Sequence, residues 1–272
     1  MQNVLAVDCR AAVCISMAAT QHHGLYRFSS HGHVFYVEAH ENSILKSDEY
    51  GFPPVILGRL PPRPLSCNWA DIKDEKYGEW RTKKLKEVQQ CWHPERIDLG
   101  ELEAIKYFNE CVCRCVYKPQ PVVANIARFE FEIQYIERES AAYRVIDGKN
   151  IGPRFLGYLT ENGRVMGVLL EHIAPRSVLH SADLELCPAA LRKLHKFQIL
   201  LNDSNFKYNF LVTPDGKTAL ICDFANSKIG VDDERLLQEE NDLAKALEDN
   251  AEDWSDFGQE RVRSMSTSEY KI

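Results

Sequence analysis

The sequence predicts an α+β protein in which a β-rich part precedes a helical part. Between residues 101 and 171 the hydrophobic pattern predicts a helix, a hairpin, a second helix and a second hairpin in turn. After Ala174 the pattern is mostly helical, so the two kinds of element are segregated along the chain. With 272 residues, of which 44% are hydrophobic, the chain is long enough for one bilobal domain or two small ones.

The N-terminal third offers one clear strand and one proline-rich segment. The first 25 residues have no strong period, whereas residues 33–38 are rich in β-branched and aromatic side chains and predict a strand. Five prolines between Gly51 and Pro64 predict an extended or turn-rich segment without helix. Within it, residues 60–64 form either a packed loop or a ligand for proline-binding domains. Residues 68–90 are polar and predict a solvated loop or an exposed hairpin.

The central elements follow from hydrophobic spacing and turn residues. Helical spacing of apolar residues predicts a short helix over residues 101–110. A strand over residues 111–117 and a return strand over 122–127 then form a hairpin. A helix follows over residues 132–146 and ends near Gly148. Strands over 155–159 and 165–171 are joined by a turn that contains Asn162 and Gly163.

Charge and composition exclude several classes of protein. Residues 231–272 hold 13 acidic and 5 basic residues, which leaves the remainder nearly neutral and without the basic stripe of a nucleic-acid-binding protein. No apolar run reaches the length of about 20 residues that a membrane span needs, so no membrane partner is expected. Nine scattered cysteines favour reduced thiols and an intracellular protein, cytoplasmic or nuclear.

Two aspartates mark the candidate site. Asp203 and Asp223 flank a short predicted hairpin, which can bring both carboxylates to one place. Phosphoryl transfer needs one carboxylate to orient the acceptor hydroxyl, another to hold Mg²⁺ against the phosphates, and an amide for a second metal position. Asn209 is an amide available for that position. A glycosidase also uses two carboxylates, but nothing in the sequence is typical of a sugar-binding barrel.

At these residues the chain resembles the protein-kinase-like superfamily, and most closely the small kinase-like proteins of filamentous fungi, over about residues 28–250. The motifs that carry the resemblance are Val123-Ala-Asn125 in place of a strand ending in lysine, Glu139 in the following helix, Ile151-Gly-Pro-Arg-Phe-Leu-Gly157, a hinge at Leu169–Ile173, the catalytic-loop residue Asp203 and Asp223 before Phe224. The resemblance implies a kinase-like bilobal fold with ATP and Mg²⁺ as cofactors. It assigns the acceptor hydroxyl to Asp203, the metal to Asp223, and nucleotide contacts to Asn125, Glu139, Glu171 and Ile173.

The chain departs from the family pattern at three places. The lysine that clamps the α- and β-phosphates is replaced by Asn125, which carries no charge. The histidine two residues before the catalytic aspartate is replaced by Leu201. Asn209 stands six residues after Asp203, where the family has five, so either the loop bulges or the ligand is lost; Asn205 is an alternative amide for the metal.

Two functions therefore compete. The first is an ATP- and Mg²⁺-dependent phosphotransferase that acts on a hydroxyl-bearing substrate through a degenerate site. The second is a pseudokinase-type binding or scaffold module that works through protein partners without turnover. The short helical part leaves little room for peptide docking and favours a small-molecule acceptor if the chain is an enzyme. The predicted divisions are an extension over residues 1–27, a β-rich lobe over 28–173, a helical lobe over 174–258 and a tail over 259–272.

Arg114 offers a substitute for the missing lysine. If the turn of the first hairpin is centred on Pro119 and Gln120, Arg114 lies opposite Asn125 and on the same face, as in the with-no-lysine kinases, where a neighbouring strand supplies the charge. If the pairing is offset by one residue, Arg114 faces the other way.

Other conspicuous residues have ordinary interpretations beside the functional ones. Cys111, Cys113 and Cys115 suit a small apolar strand face better than a metal cluster. His31 and His33 lack a third ligand and are expected at the surface or in packing. Glu139 is alternatively a solvated helix charge, and His195 is expected to pack under the catalytic loop. Leu236, Leu243 and Leu247 predict an amphipathic helix that docks on the helical lobe.

Overall fold

The computed structural model describes residues 6–19, 23–40, 53–73, 78–174, 184–203 and 206–249. The chain divides into two compact units, an N-terminal unit of Met1–Lys86 and a C-terminal unit of Glu87–Ile272. Among the described residues, no helix is both long and apolar enough to cross a lipid bilayer.

The N-terminal unit is built on a five-stranded sheet. Its strands are β2 (Val13–Ala19), β3 (His23–Ser30), β4 (His33–His40), β6 (Trp69–Ile72) and β7 (Glu79–Arg81), which lie side by side in that order, with β4 and β6 parallel. A two-stranded pair of β1 (Ala6–Val7) and β5 (Arg63–Pro64) and the helix α1 (Pro53–Gly58) complete it. Its core is formed by Tyr26, Phe28, Phe35, Val37, Ala39, Ile56, Leu57, Ala70 and Ile72.

Two predictions for this unit are wrong, and a third is confirmed in part. The boundary predicted between residues 27 and 28 falls inside β3, because β3 pairs with β4 along its whole length. The proline-rich segment does contain a helix, since Pro53 and Pro54 stand in the first turn of α1, where a backbone N–H has no helical partner to lose. For residues 68–90, the hairpin alternative is confirmed, since β6 and β7 form an antiparallel pair. The hairpin is exposed only on its β7 side, because β6 inserts buried Trp69 and Ile72 into the sheet.

The C-terminal unit begins with a six-stranded sheet. Its strands lie in the order β8 (Arg96–Asp98), β12 (Phe155–Glu161), β13 (Arg164–Glu171), β11 (Gln120–Ile126), β10 (Val112–Tyr117) and β9 (Glu103–Tyr107), and all neighbours are antiparallel except β8 and β12. The helix α2 (Ile133–Ile146) connects β11 to β12 and presents a buried face that includes Ile136, Glu139 and Tyr143. The predicted hairpins and the helix over residues 132–146 are confirmed.

The remainder of the C-terminal unit is smaller and more helical. Helix α3 (Leu186–His195) is followed by β14 (Ile199–Leu200), which pairs with β17 (Lys228–Ile229), and by the hairpin of β15 (Phe210–Val212) and β16 (Ala219–Ile221). Helix α4 (Asp233–Asp249) packs on α3 and buries Leu236 and Leu243, with Leu247 partly buried, as its amphipathic pattern predicts. The chain thus has the α+β fold class that the sequence predicts, with strands and helices in both units.

The helix predicted over residues 101–110 is wrong. The segment instead forms a single 3₁₀ turn at Leu99–Glu101 and then β9, whose Lys106 pairs with Arg114 of β10. Hydrogen-bonded pairing with β10 at the edge of the sheet decides the conformation. Ile105 and Tyr107 stay exposed, so the segment has no buried apolar face that would favour a helix. Asp98 closes the 3₁₀ turn through a capping box with Glu101.

Candidate functional site

The site is centred on a contact between the sheet and helix α2. The side-chain amide nitrogen of Asn125, in β11, donates a hydrogen bond of 2.6 Å to Oε2 of Glu139. Glu139 is 1% exposed because it lies on the face of α2 that packs against the sheet, so its interpretation as a solvated helix charge is wrong. The backbone of Asn125 is closely confined, since a Cβ added at Gly167 of the paired strand β13 would lie 2.5 Å from the Asn125 carbonyl oxygen.

The environment of Glu139 disfavours its charge. Burial, followed by the negative charge of Asp223, raises the pKa of Glu139 to about 8, whereas the hydrogen bond from Asn125 acts in the opposite direction. A lysine at position 125 would supply a positive charge, but an amide supplies only a dipole. Glu139 is therefore mostly protonated at neutral pH.

Asp223 and Asn209 are brought together by the hairpin of β15 and β16. Phe210 pairs with Ile221, and the backbone N–H of Cys222 donates to the Asn209 carbonyl at 2.9 Å, so the residues just outside the hairpin are adjacent. Asp223 is exposed and has a φ of 66°, in the left-handed region that aspartate and asparagine tolerate better than most residues. Its carboxylate also accepts a 3.3 Å hydrogen bond from the backbone N–H of Ala225.

Two buried polar atoms near these acids have no hydrogen-bond partner among the described residues. They are the side-chain amide nitrogen of Asn209, a residue that is 2% exposed, and the hydroxyl of Tyr143, one helical turn after Glu139. Burial and the nearby acidic groups Glu139, Cys222 and Asp223 raise the pKa of Tyr143. Because buried polar groups are almost always paired in proteins, atoms of this kind indicate a place for a ligand, an ion or water.

The backbone immediately before Asp203 is anchored by helix α4. Glu239 of α4 accepts hydrogen bonds from the backbone N–H groups of Leu201, at 3.1 Å, and Asn202, at 2.6 Å. The same carboxylate lies 2.8 Å from Nε2 of His195, so His195 packs beneath this segment as predicted. Asp203 itself is half-buried.

Sequence analysis did not identify Glu239. The signal was available, because Glu239 stands three residues after Leu236 on the apolar face of α4, where an acidic side chain needs a buried partner. Asn205, the alternative amide for the metal, lies outside the described residues.

The register of the first hairpin differs from the predicted one. Tyr117 pairs with Gln120, so Val112 rather than Arg114 lies opposite Asn125, and Arg114 lies opposite Val123. Side chains two positions apart in a strand share a face, so Arg114 still lies on the face of Asn125. Lys106 of β9 pairs directly with Arg114 and brings a second cation to that face, which the sequence analysis missed.

Arg114 lies near the predicted hinge, where its charge acts on His172. Arg114 is half-buried, and its Nε atom has no hydrogen-bond partner among the described residues. Burial lowers the pKa of His172, and the positive charge of Arg114 lowers it further. Glu171 ends β13 opposite Val122 and, like Ile173 beyond it, is half-buried. The nucleotide contacts assigned to Glu171 and Ile173 stay predictions.

The cysteines of the β10 region lie in or next to the apolar packing, and the two histidines at the β3–β4 turn lie at the surface. Cys113 and Cys115 point to one buried face of β10, with their sulfur atoms 3.3 Å apart, within an apolar cluster. Cys111 precedes the strand, and burial raises its pKa to about 11. His31 and His33 are exposed at the turn between β3 and β4.

Comparison with known proteins gives a distant structural likeness. No family model and no curated protein matches the sequence. Among solved structures, the chain is similar to the Cydia pomonella granulovirus kinase PK-1, with 19% sequence identity and a TM-score of 0.39 over 48% of this chain and 53% of that one. The match thus spans about half the length of the viral kinase.

The raised pKa of Glu139 predicts a specific pH dependence of stability. Between its ordinary pKa of 4.5 and its folded value of about 8, the folded chain holds one proton more than the unfolded chain. The free energy of unfolding should therefore fall as the pH rises through this range, by up to about 1.4 kcal/mol per pH unit from this group. Glu139→Gln, which is isosteric and neutral, should remove this contribution.

The measurement is urea unfolding of both forms at several pH values from 5 to 8.5. As the pH rises, the unfolding free energy of the unsubstituted chain should fall relative to that of Glu139→Gln. A difference that stays constant with pH would contradict the assignment of a buried, protonated Glu139.

Proposed function

We propose that the chain is a kinase-like, nucleotide-binding module of the pseudokinase type, with phosphoryl transfer strongly impaired. The observation that carries this proposal is the pair of Asn125 and buried Glu139, because the resemblance to kinases assigns a lysine–glutamate ion pair to these two positions. The pair is retained as a hydrogen bond, but its positive charge is missing.

The donor set around Asp223 fits a magnesium ion and the phosphates it would bridge. Magnesium prefers carboxylate and amide oxygens, which Asp223 and the adjacent Asn209 offer. The hydroxyl of Tyr143, which has no hydrogen-bond partner among the described residues, lies near enough to Asp223 for that charge to raise its pKa. The side-chain amide nitrogen of Asn209, also without a partner there, is a donor that suits a phosphate oxygen and not the metal ion. When bound, the ion would neutralise phosphate charge, while the chain's own groups orient it. Glu171 and Ile173 are the candidate contacts for the base of ATP.

The missing cation explains why turnover should be poor. Loss of one preorganised charge on a transferring group costs about 100- to 1,000-fold in rate, by analogy with loss of an oxyanion-hole donor. The six-residue spacing from Asp203 to Asn209 adds a second departure at the metal. Catalysis of phosphoryl transfer is almost entirely positioning and electrostatics, so the two defects together leave little activity.

A slow phosphotransferase is the second candidate, and the position of Arg114 favours it. Arg114 and its cross-strand partner Lys106 lie on the face of Asn125 and are cations that can approach the phosphates. In this case Asp203 would orient the hydroxyl of an acceptor. A small hydroxyl-bearing molecule suits the short helical lobe better than a peptide, whereas the pseudokinase proposal calls for a protein partner.

Some finer proposals rest on the sequence alone. A closer relation to the kinase-like proteins of filamentous fungi rests on the motifs around Asp203 and Asp223. The lack of a nucleic-acid partner rests on the nearly neutral charge outside the acidic C-terminal segment. An intracellular location rests on the use of cysteine.

Removal of the Asp223 carboxylate should weaken magnesium-dependent nucleotide binding. We expect Asp223→Asn to lower the affinity for ATP in the presence of Mg²⁺ by at least about tenfold, because the variant keeps a residue tolerant of positive φ but loses a metal ligand. Calorimetric or fluorescence titration with and without Mg²⁺ measures this. Asp215→Asn is the matched control, since Asp215 lies in the turn at the far end of the same hairpin. Equal affinities for all three forms would remove Asp223 from the site.

Substitution of the cations on the Asn125 face distinguishes the two candidate functions. If the chain is a slow phosphotransferase, Arg114→Ala or Lys106→Ala should lower the single-turnover rate of ATP hydrolysis by about 100-fold or more. Lys118→Ala, in the exposed hairpin turn, should leave the rate unchanged. Absence of turnover in the unsubstituted chain, with ATP binding retained, would favour the pseudokinase.

A further inference from the structure

A second cluster of ligand-type side chains lies in the N-terminal unit, on the ribbon formed by β3 and β4. His23 and His40 are direct cross-strand partners at the open end of the ribbon. Glu38 stands two residues before His40, so its side chain lies on the same face. The opposite face carries the core residues Tyr26, Phe28, Phe35 and Val37, so the alternation of the strands directs the three polar side chains away from the core.

The three side chains are already close enough to share one ion. Their candidate ligand atoms lie within 4.8 Å of one another. Nδ1 of His23 is 2.8 Å from Oε1 of Glu38, and the rings of His23 and His40 have centroids 4.3 Å apart. Ligands of a tetrahedral zinc ion, at bond lengths of about 2.0–2.1 Å, lie about 3.3 Å apart. The separations in the structure, from 2.8 Å between His23 and Glu38 to at most 4.8 Å, bracket that spacing.

We propose that His23, Glu38 and His40 form a binding site for a divalent transition-metal ion, with zinc as the best match. Two imidazoles and one carboxylate are a donor set that zinc uses in proteins, and three protein ligands leave the fourth tetrahedral position to water. All three residues are half-buried, so an ion can reach them while the sheet restricts their motion. The proposal is independent of the function assigned to the C-terminal unit.

The neighbouring strand supports Glu38 as the carboxylate ligand. Asp71 of β6 pairs with Glu38 across the sheet, but Asp71 is engaged by the Arg81 guanidinium at 2.6 Å and by the indole N–H of Trp69 at 3.0 Å. Asp71 therefore has its own partners. Glu38 makes its contact with His23, and that contact is the one that a metal ion would replace.

The experiment uses the full chain without an affinity tag and under reducing conditions. Zinc is titrated in competition with a chromophoric chelator, and cobalt(II) is used as a spectroscopic probe of the ligands. We expect one zinc per chain, and a cobalt spectrum without thiolate charge-transfer bands, because the site contains no cysteine. His40→Ala should lower the zinc affinity at least tenfold. His33→Ala, an exposed histidine at the other end of the same ribbon, is the matched control and should not change it.

Glu38→Gln is a second, more conservative variant in case His40→Ala does not fold. It keeps the size of the side chain, and its amide oxygen still accepts a hydrogen bond from His23. It should also weaken zinc binding by at least tenfold, and circular dichroism verifies the fold of every form. Saturating zinc should raise the Tm of the unsubstituted chain but not that of His40→Ala. Equal zinc affinity for His40→Ala, Glu38→Gln and the unsubstituted chain, or a cobalt spectrum dominated by thiolate ligation, would overturn the proposal.

Discussion

The site depends on one constraint: the carboxyl group of Glu139 is buried and, among the described residues, its hydrogen-bond partner is the amide of Asn125 and not a cation. A carboxylate that is 1% exposed is stable only if it is paired, hydrogen-bonded or protonated. Here Asn125 provides a hydrogen bond and no charge, while Asp223 contributes further negative potential. At neutral pH, protonation of Glu139 removes the buried negative charge. Asn125 thus maintains the contact between helix α2 and the sheet through a hydrogen bond, without neutralising a charge on Glu139.

The two sides of the site are held by different means. On the sheet side, β11 lies between β10 and β13, and the close approach of Gly167 confines the backbone of Asn125. On the loop side, Glu239 of α4 accepts two backbone N–H groups just before Asp203 and pairs with His195. Both segments are therefore anchored by buried contacts. What the site lacks is a positive charge at position 125, and Arg114 and Lys106 approach from the neighbouring strands.

The sequence predicted correctly those elements whose signals lie within a few neighbouring residues. It missed features that depend on pairing between segments far apart in the chain. Helix α2 and the hairpin at Asn162 and Gly163 were predicted because helical periodicity and turn residues act within a few positions. The strand β9 was mistaken for a helix, since its apolar spacing fits both forms and only pairing with β10 decides. Register is likewise non-local: it set Arg114 opposite Val123 and brought His23 to His40 across 17 positions of sequence. The carboxylate of Glu239 was missed because its partners lie in another element.

The most direct test of the account is a titration of ATP, with and without Mg²⁺, into the unsubstituted chain and into Asn125→Lys. If the absent cation beside Glu139 limits the site, Asn125→Lys should bind Mg²⁺-ATP at least about tenfold more tightly, a gain of about 1.4 kcal/mol. The new charge should also lower the pKa of Glu139 towards its ordinary value. Unchanged ATP affinity in a correctly folded Asn125→Lys variant would contradict the account.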